Sequence, residues 1–482
     1  MRIAFVTSEF ASLEKVGGLA DVSESLPKAL YQRGEKVAVF MPLYKRIKEE
    51  RILEKTSISF TVHMDGEDRL VRLRRVHIHG FPVYLLQYDP YFRRDNPYGT
   101  PEGDYPDNPY RFALLSQGVL LALKELNWQV DVIHCNDWET ALVPVYLKHS
   151  FKDDPFFKHT GTLFTIHNLA YQGVFPKEVL PRIGLDWDLF HMDALEYYGN
   201  VNYLKGGLFF SDIINTVSET YSREIQSEAL GYGLDGVLRL RSEDLYGVIN
   251  GIDCDEWNPA KDRRLFAKYS AEDLAGKAEN KRRLMEALGL KDPENRMLAG
   301  MVGRLVSQKG IDLVHSVLGD MVDMGISIVI LGSGEERYHT MLQEIQNQYP
   351  GLLHVRIGYD DTLAARIYAG SDIFLMPSRY EPCGLGQMIA LRYGTIPVVR
   401  KTGGLADTIE EFNPDTGEGN GFLFTGFTPT EFLDAIKRAL ACYKRPEVWS
   451  PLVKKAANTC FSWEGSADRY MELYQKAKEK RR

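Results

Sequence analysis

Residues 374–408, FLMPSRYEPCGLGQMIALRYGTIPVVRKTGGLADT, restrict the fold more than any other stretch of the chain. Two short apolar runs, Ile373 to Met376 and Ile396 to Val399, are each bounded by Gly or Pro. They have the length and composition of strands buried on both faces of a parallel sheet. A helix is expected between them, beginning near Leu385 within the turn Cys383, Gly384, Leu385, Gly386. Glu381 then falls in the loop after the first strand, where Pro382 favours an extended backbone ahead of the helix. In open α/β sheets this carboxyl edge is where ligands bind, beside helix N-termini whose free N–H groups favour phosphate. Glu381 is therefore a candidate ligand residue, with a helix-capping carboxylate as the plainer alternative.

The pattern recurs at the start of the chain. The strand Ile3 to Val6 leads past Glu9 to Lys15, Gly17 and Gly18, and a helix is expected from about Leu19. Two glycines let a backbone approach a diphosphate closely, and Lys15 adds a mobile positive charge. The spacing is neither GxGxxG nor a Walker loop, so a tight turn with a solvated lysine is the competing reading. The pentapeptide GGLAD stands at Gly17 to Asp21 and again at Gly403 to Asp407. Two α/β layers, each with a glycine turn at its ligand edge, account for both copies.

A chain of 482 residues exceeds what one hydrophobic core serves, so two domains of roughly 200–250 residues are expected. The change of character in GVINGIDCDEWNP, with a turn at Asn250 and Gly251, marks the passage between them. The divisions expected are 1–246, 247–455 and a C-terminal helical segment, 456–482. A net charge of −8 argues against a nucleic-acid partner, which requires a basic face. No apolar run approaches the roughly 20 residues that span a bilayer, and Met1 leads straight into a strand rather than a secretory leader. Five scattered cysteines without CxxC pairing suit a reduced, cytoplasmic protein.

Further along, Ser57 to Tyr88 alternates as β structure, and the Pro-, Gly- and Tyr-rich residues 89–110 read as a long surface loop carrying Tyr98. The strand DVIHCND ends in Asp137 and Trp138, and the strand Thr162 to Ile166 ends in His167 and Asn168. An imidazole and an amide from one sheet edge can hydrogen-bond a sugar, although a lone His is often structural. Met297 to Val302 emits Arg304 and Lys309, a planar fork and a point charge suited to a pyrophosphate. Val355 to Tyr359 ends with Gly358 and Tyr359. DWD at 186–188 and DCD at 253–255 look like metal-binding DxD, but lack glycine-rich phosphate turns before them, and no metal or other cofactor is expected.

EPCGLGQ with LRYGTIPVVRKTGGLADT, KVGGLAD near the start, HNLAYQG at 167–173 and GRLVSQKG at 303–310 resemble, in the expected order, the motifs of bacterial and plant glycogen/starch synthases. These are retaining glucosyltransferases of the GT-B fold. The resemblance covers nearly the whole chain. It implies two Rossmann-like domains facing each other across a cleft, and a final helix that crosses back to the first domain. It also implies transfer of glucose from ADP-glucose, or from UDP-glucose, to the non-reducing end of an α-1,4-glucan.

On that pattern Glu381, His167, Arg304, Lys309 and Lys15 are catalytic. Gly17, Gly18, Asp21, Tyr98, Asp137, Asn168, Asn250, Tyr359, Cys383, Gly384, Leu385 and Gly386 bind substrate, with the Gly358–Tyr359 pair bordering the base. Two positions depart from the family: Glu139 stands where His is common, and Gly386 where Thr is common. A glucan phosphorylase, which would need pyridoxal phosphate, and a non-catalytic glucan-binding protein are the alternatives from other classes.

Overall fold

The computed structural model describes residues 1–100, 102–292 and 294–481. The chain divides into two compact units, Met1–Val248 with Trp463–Arg482, and Ile249–Ser462.

The first unit is built on nine strands. In spatial order they are Leu245–Gly247, Ile213–Thr216, Gly161–Ile166, Val132–Asn136, Arg2–Val6, Lys36–Pro42, Phe81–Gln87, Glu67–Ile78 and Glu54–Met64. The first seven run parallel and the last two add antiparallel at one edge. Helices cover both faces of the central strands, and in the first of them Ile3, Ala4, Phe5 and Val6 are all fully buried. Taking the seven parallel strands in chain order, their sequence across the sheet is 3-2-1-4-5-6-7. The order therefore reverses between Arg2–Val6 and Val132–Asn136, and that reversal opens a crevice at their carboxyl ends.

The described residues between 89 and 110 hold more regular structure than the loop expected there. They form a short helix, Asp89–Phe92, a hairpin of Gly99–Thr100 with Gly103–Asp104, and the start of the helix Asn108–Glu125. Pro109 suits the first helical turn, where its missing N–H costs nothing. The buried Arg111 ties the segment down by donating to Tyr91 O and Pro97 O, each at 2.8 Å.

The last helix, Trp463–Glu479, belongs to the first unit. Tyr474 Oη pairs with His134 Nδ1 at 2.8 Å, and Asn215 Nδ2 donates to Tyr470 Oη at 3.2 Å. Gly161 lets it approach, since a Cβ there would lie 2.5 Å from Ala477 O. The boundary expected at 455/456 falls inside the helix Pro446–Ala457 of the second unit.

The second unit has six parallel strands in the order Leu353–Ile357, Ile326–Gly332, Met297–Val302, Ile373–Met376, Ile396–Arg400 and Phe422–Phe424. In chain order this is 3-2-1-4-5-6, the doubly wound arrangement, with its switch point between Met297–Val302 and Ile373–Met376. The helix Ala275–Ala287 is pinned to the sheet by two buried lysines. Lys281 Nζ meets Asp372 Oδ2 at 2.7 Å, and Lys277 Nζ donates among Ala369 O, Ser371 O and Thr395 Oγ1.

Cys254 and Cys460 form a disulfide near the two ends of this unit, where Ile252 N also donates to Phe461 O at 2.7 Å. The expectation of a fully reduced chain is corrected here: a separation of 206 residues hides the pairing from the sequence. Cys135, Cys383 and Cys442 remain buried thiols. Among the described residues no helix is long and apolar enough to cross a membrane.

Candidate active site

At the first unit's switch point, the loop after Arg2–Val6 folds over Glu9. Its Oε2 accepts from Val16 N at 2.7 Å and Gly17 N at 2.8 Å, and its Oε1 accepts from Tyr98 Oη at 2.7 Å. Ser8 Oγ completes the cluster 2.8 Å from Tyr98 Oη. Gly17 precedes the helix Gly18–Gln32, and nothing lies within 4 Å of where a Cβ would stand on Gly17 or Gly18. The glycine turn is thus open to an approaching group, but the Gly17 N–H is committed to Glu9 rather than free for a diphosphate. Lys15 Nζ meets Asp21 Oδ1 at 2.7 Å, and both side chains are more than a third exposed. An exposed pair of this kind contributes about 0–1 kcal/mol, so the lysine is readily recruited by a stronger anion.

Tyr98 is half-buried, not a solvent-facing loop aromatic, and burial beside Glu9 pushes its hydroxyl well above the usual tyrosine range. Glu9 is not among the candidate ligand residues that the sequence points to. Its position after a strand was visible, but its partners lie seven, eight and 89 residues away.

On the other side of the switch point, Asp137 has φ 54°, a strained value for a non-glycine residue. Its Oδ1 accepts from His167 N at 2.7 Å. Burial raises its carboxyl to about 7. His167 Nε2 donates to Asn136 Oδ1 at 2.9 Å, an assignment fixed by Asn136 Nδ2 donating to Val6 O. Burial depresses the imidazole to about 3, so His167 is neutral at physiological pH and acts through hydrogen bonds. Asn168 Oδ1 accepts from Ala170 N at 3.1 Å, closing the turn that follows.

The second unit brings two predicted residues into direct contact. Lys309 Nζ donates to Glu381 Oε2 at 2.6 Å across 72 residues of sequence, and Ser378 Oγ donates to the same oxygen at 2.9 Å. They leave the two strands that flank the switch point. Arg304, four residues before Gln308, is exposed and reaches Gln308 Oε1 at 3.5 Å. Gly403, with φ +44°, lies so close to Glu381 that a Cβ would overlap the Glu381 carbonyl oxygen. The second GGLAD copy therefore serves close packing of the Glu381 loop.

Cys383 is buried and its thiol is pushed up to about 12, chiefly by desolvation, so it stays protonated. Asn250 lies within hydrogen-bonding reach of that thiol, and its own buried Oδ1 has no partner. Gly384 takes φ +74°, which favours glycine, and Leu385 and Gly386 lead into the short helix Gly386–Arg392. Gly386 packs on Phe374 and Met376, so a side chain there would press into the strand. Tyr359 is 80% exposed and its hydroxyl donates to Asp361 Oδ1 at 2.6 Å.

The DxD alternatives differ from one another. Asp253 caps its own turn and Asp255 pairs with Lys261. Asp186 and Asp188, both exposed, lie 3.7 and 3.8 Å from the partly buried His149 Nε2, a trio able to hold a cation.

Two family descriptions match the chain: "Starch synthase catalytic domain" over residues 2–240 and "Glycosyl transferases group 1" over residues 281–456. A glycogen synthase of Geotalea daltonii is 49% identical over 475 residues, covering 98% of each chain. A glycogen synthase 2 of Geobacter metallireducens is 48% identical and covers 100% of both chains. The solved catalytic domain of starch synthase IV from Arabidopsis thaliana, bound to ADP and acarbose, superposes with a TM-score of 0.92 at 36% identity, covering 99% of each chain. A sucrose-phosphate synthase from Thermosynechococcus elongatus, at 16% identity and TM-score 0.61 over 98% of each chain, shares the fold. Identity of this extent, carried over the full length and through both main sheets, establishes that the chain belongs to the glycogen/starch synthase family of GT-B glycosyltransferases.

Proposed function

We propose that this glycosyltransferase moves glucose from ADP-glucose to the non-reducing end of an α-1,4-glucan with retention of anomeric configuration. The observation that carries the reading is the Lys309–Glu381 contact at the second unit's switch point, where a nucleotide belongs in a sheet of this order. The solved starch synthase relative has ADP and acarbose bound, a nucleoside diphosphate and a glucan-like sugar.

In this reading Lys309 and Arg304 meet the departing diphosphate, joined by Lys15 and by the backbone of Cys383, Gly384, Leu385 and Gly386. Asn250 offers its unpaired oxygen to the donor, and Tyr359 offers a ring face to the base. Asp137, His167, Asn168 and Glu381 orient the glucose. Gly17, Gly18 and Asp21 shape the turn that admits it, and Tyr98 holds Glu9 toward the acceptor. As the bond from C1 to phosphate breaks, the acceptor hydroxyl attacks on the same face and gives its proton to the leaving phosphate. This front-face course needs no covalent glycosyl–enzyme intermediate, unlike the two-carboxylate scheme of retaining glycosidases.

The test is glucose transfer to a maltooligosaccharide from ADP-glucose and UDP-glucose in parallel. A kcat/KM for ADP-glucose at least tenfold above that for UDP-glucose is expected. The reverse preference would overturn the donor assignment, and transfer from neither would overturn the function.

A further inference from the structure

Glu139 lies two residues past Asp137, in the turn Trp138–Thr140, and is only 6% exposed. Its Oε2 is buried without a hydrogen-bond partner. The turn holds it there. Thr140 Oγ1 accepts from Asn136 N at 2.6 Å and donates to Asn136 O at 2.8 Å. The Trp138 ring is wedged edge-on against Phe112 and tilted against Phe175, at centroid distances of 4.9 and 5.6 Å.

The ionisable groups acting on Glu139 come from four segments. They are Asp137 on its own, Glu9 and Tyr44 after the first two strands, and Asp104 and Tyr98 around the hairpin. All are acids. Two neighbouring carboxyls in a buried site resist double ionisation. Asp137 has the stronger hold on the charge, because the backbone N–H groups of His167 and Asn168 stabilise its carboxylate and its side chain is partly exposed.

We propose that Glu139 is a positioning residue that keeps its proton when Asp137 ionises, so that this part of the site then presents a single negative charge, on Asp137. Burial and the Asp137 charge both push the Glu139 carboxyl well above the ordinary carboxylate range, in the same direction as the geometry. The inference rests on the reading of Asp137 as a sugar ligand. One ionised carboxylate accepts a hydrogen bond from a glucose hydroxyl, whereas two would draw in a cation or water in its place. It also explains how an acid can occupy a position where His is common in the family: held neutral, it adds no charge.

Infrared spectroscopy of the protein without substrate tests the proton directly. At pH 8, where ordinary carboxyls are ionised, a protonated-carboxyl C=O band is expected in the wild type and in Asp137→Asn, and is expected to vanish in Glu139→Gln. Absence of the band from the wild type, or its loss in Asp137→Asn alone, would overturn the assignment. The wild type and Asp137→Asn decide this even if Glu139→Gln folds poorly. In the pH profile of kcat/KM, Glu139→Gln should move the alkaline limb up by at least one pH unit, since the residue can no longer ionise. A fall of the acid limb by one unit or more would instead mean that Glu139 is charged in the wild type. The infrared result stands whether or not glucose is transferred, so failure of this proposal and failure of the functional reading are distinguishable.

Discussion

Replacing Lys309 by Ala removes a cation that is placed before any ligand arrives. Its Nζ is 2.6 Å from Glu381 Oε2, and the two side chains are 19% and 7% exposed. Losing one preorganised charge contact to a leaving group costs about 10²–10³ in turnover, or roughly 3–4 kcal/mol of transition-state stabilisation. The same change strands the Glu381 carboxylate. Breaking a fully buried pair costs about 3–5 kcal/mol of stability, but Ser378 Oγ still donates to the carboxylate and the lysine end is partly solvated, so about 1–3 kcal/mol is expected here. The two effects separate in the double variant Lys309→Met with Glu381→Gln, which removes both charges. Steady-state kinetics and urea unfolding should show stability largely restored in the double variant while turnover stays down by a hundredfold or more. Turnover of Lys309→Ala within tenfold of wild type would refute the role of Lys309 at the leaving group.

The Asp137 carboxyl, raised to about 7 by burial, should make kcat/KM rise through neutral pH, and Asp137→Asn should lose that limb along with most activity. In stability the sign is opposite: the folded state holds this proton more tightly than the unfolded chain, so Asp137's contribution is full below about 3.8 and is lost as pH rises through about 7. Comparing chemical unfolding of wild type and Asp137→Asn across that window measures it. Removing the Cys254–Cys460 link with two serines should lower the unfolding free energy of the second unit by roughly 2–4 kcal/mol, read by urea titration under non-reducing conditions. On the proposed reading, in which Lys15, Arg304 and Lys309 supply positive charge for the diphosphate, transfer should persist in excess chelator and in Asp186→Ala. Activity lost with chelator and restored by magnesium or manganese would instead give the His149, Asp186 and Asp188 trio a part in the reaction.

Much of this arrangement is legible in the amino-acid order because strands buried on both faces are written as uninterrupted apolar runs. Ile373–Met376 coincides with its expected limits, and Met297–Val302 does so as well. Residues following such runs announce themselves when they are Glu, Lys, His or Asn, which makes Lys309, Glu381 and His167 candidates. Their partners do not. The Lys309–Glu381 contact depends on the spatial order of the strands, in which the first and fourth of the unit become neighbours. Glu9 holding the Gly17 turn, the disulfide, and Arg111 organising residues 89–110 likewise arise from long-range packing with no local periodicity. Lys15 is a different case: Asp21 was in plain view six residues on, but only the turn geometry shows that the two side chains meet.

The most direct measurement of the central claim is NMR of the product formed from ADP-glucose labelled with ¹³C at the glucose C1, with a maltooligosaccharide as acceptor. The account predicts a single new labelled residue at the non-reducing end, with the α-anomeric signal of a 1,4 linkage. Label appearing only as free glucose, or in a β linkage, would contradict it.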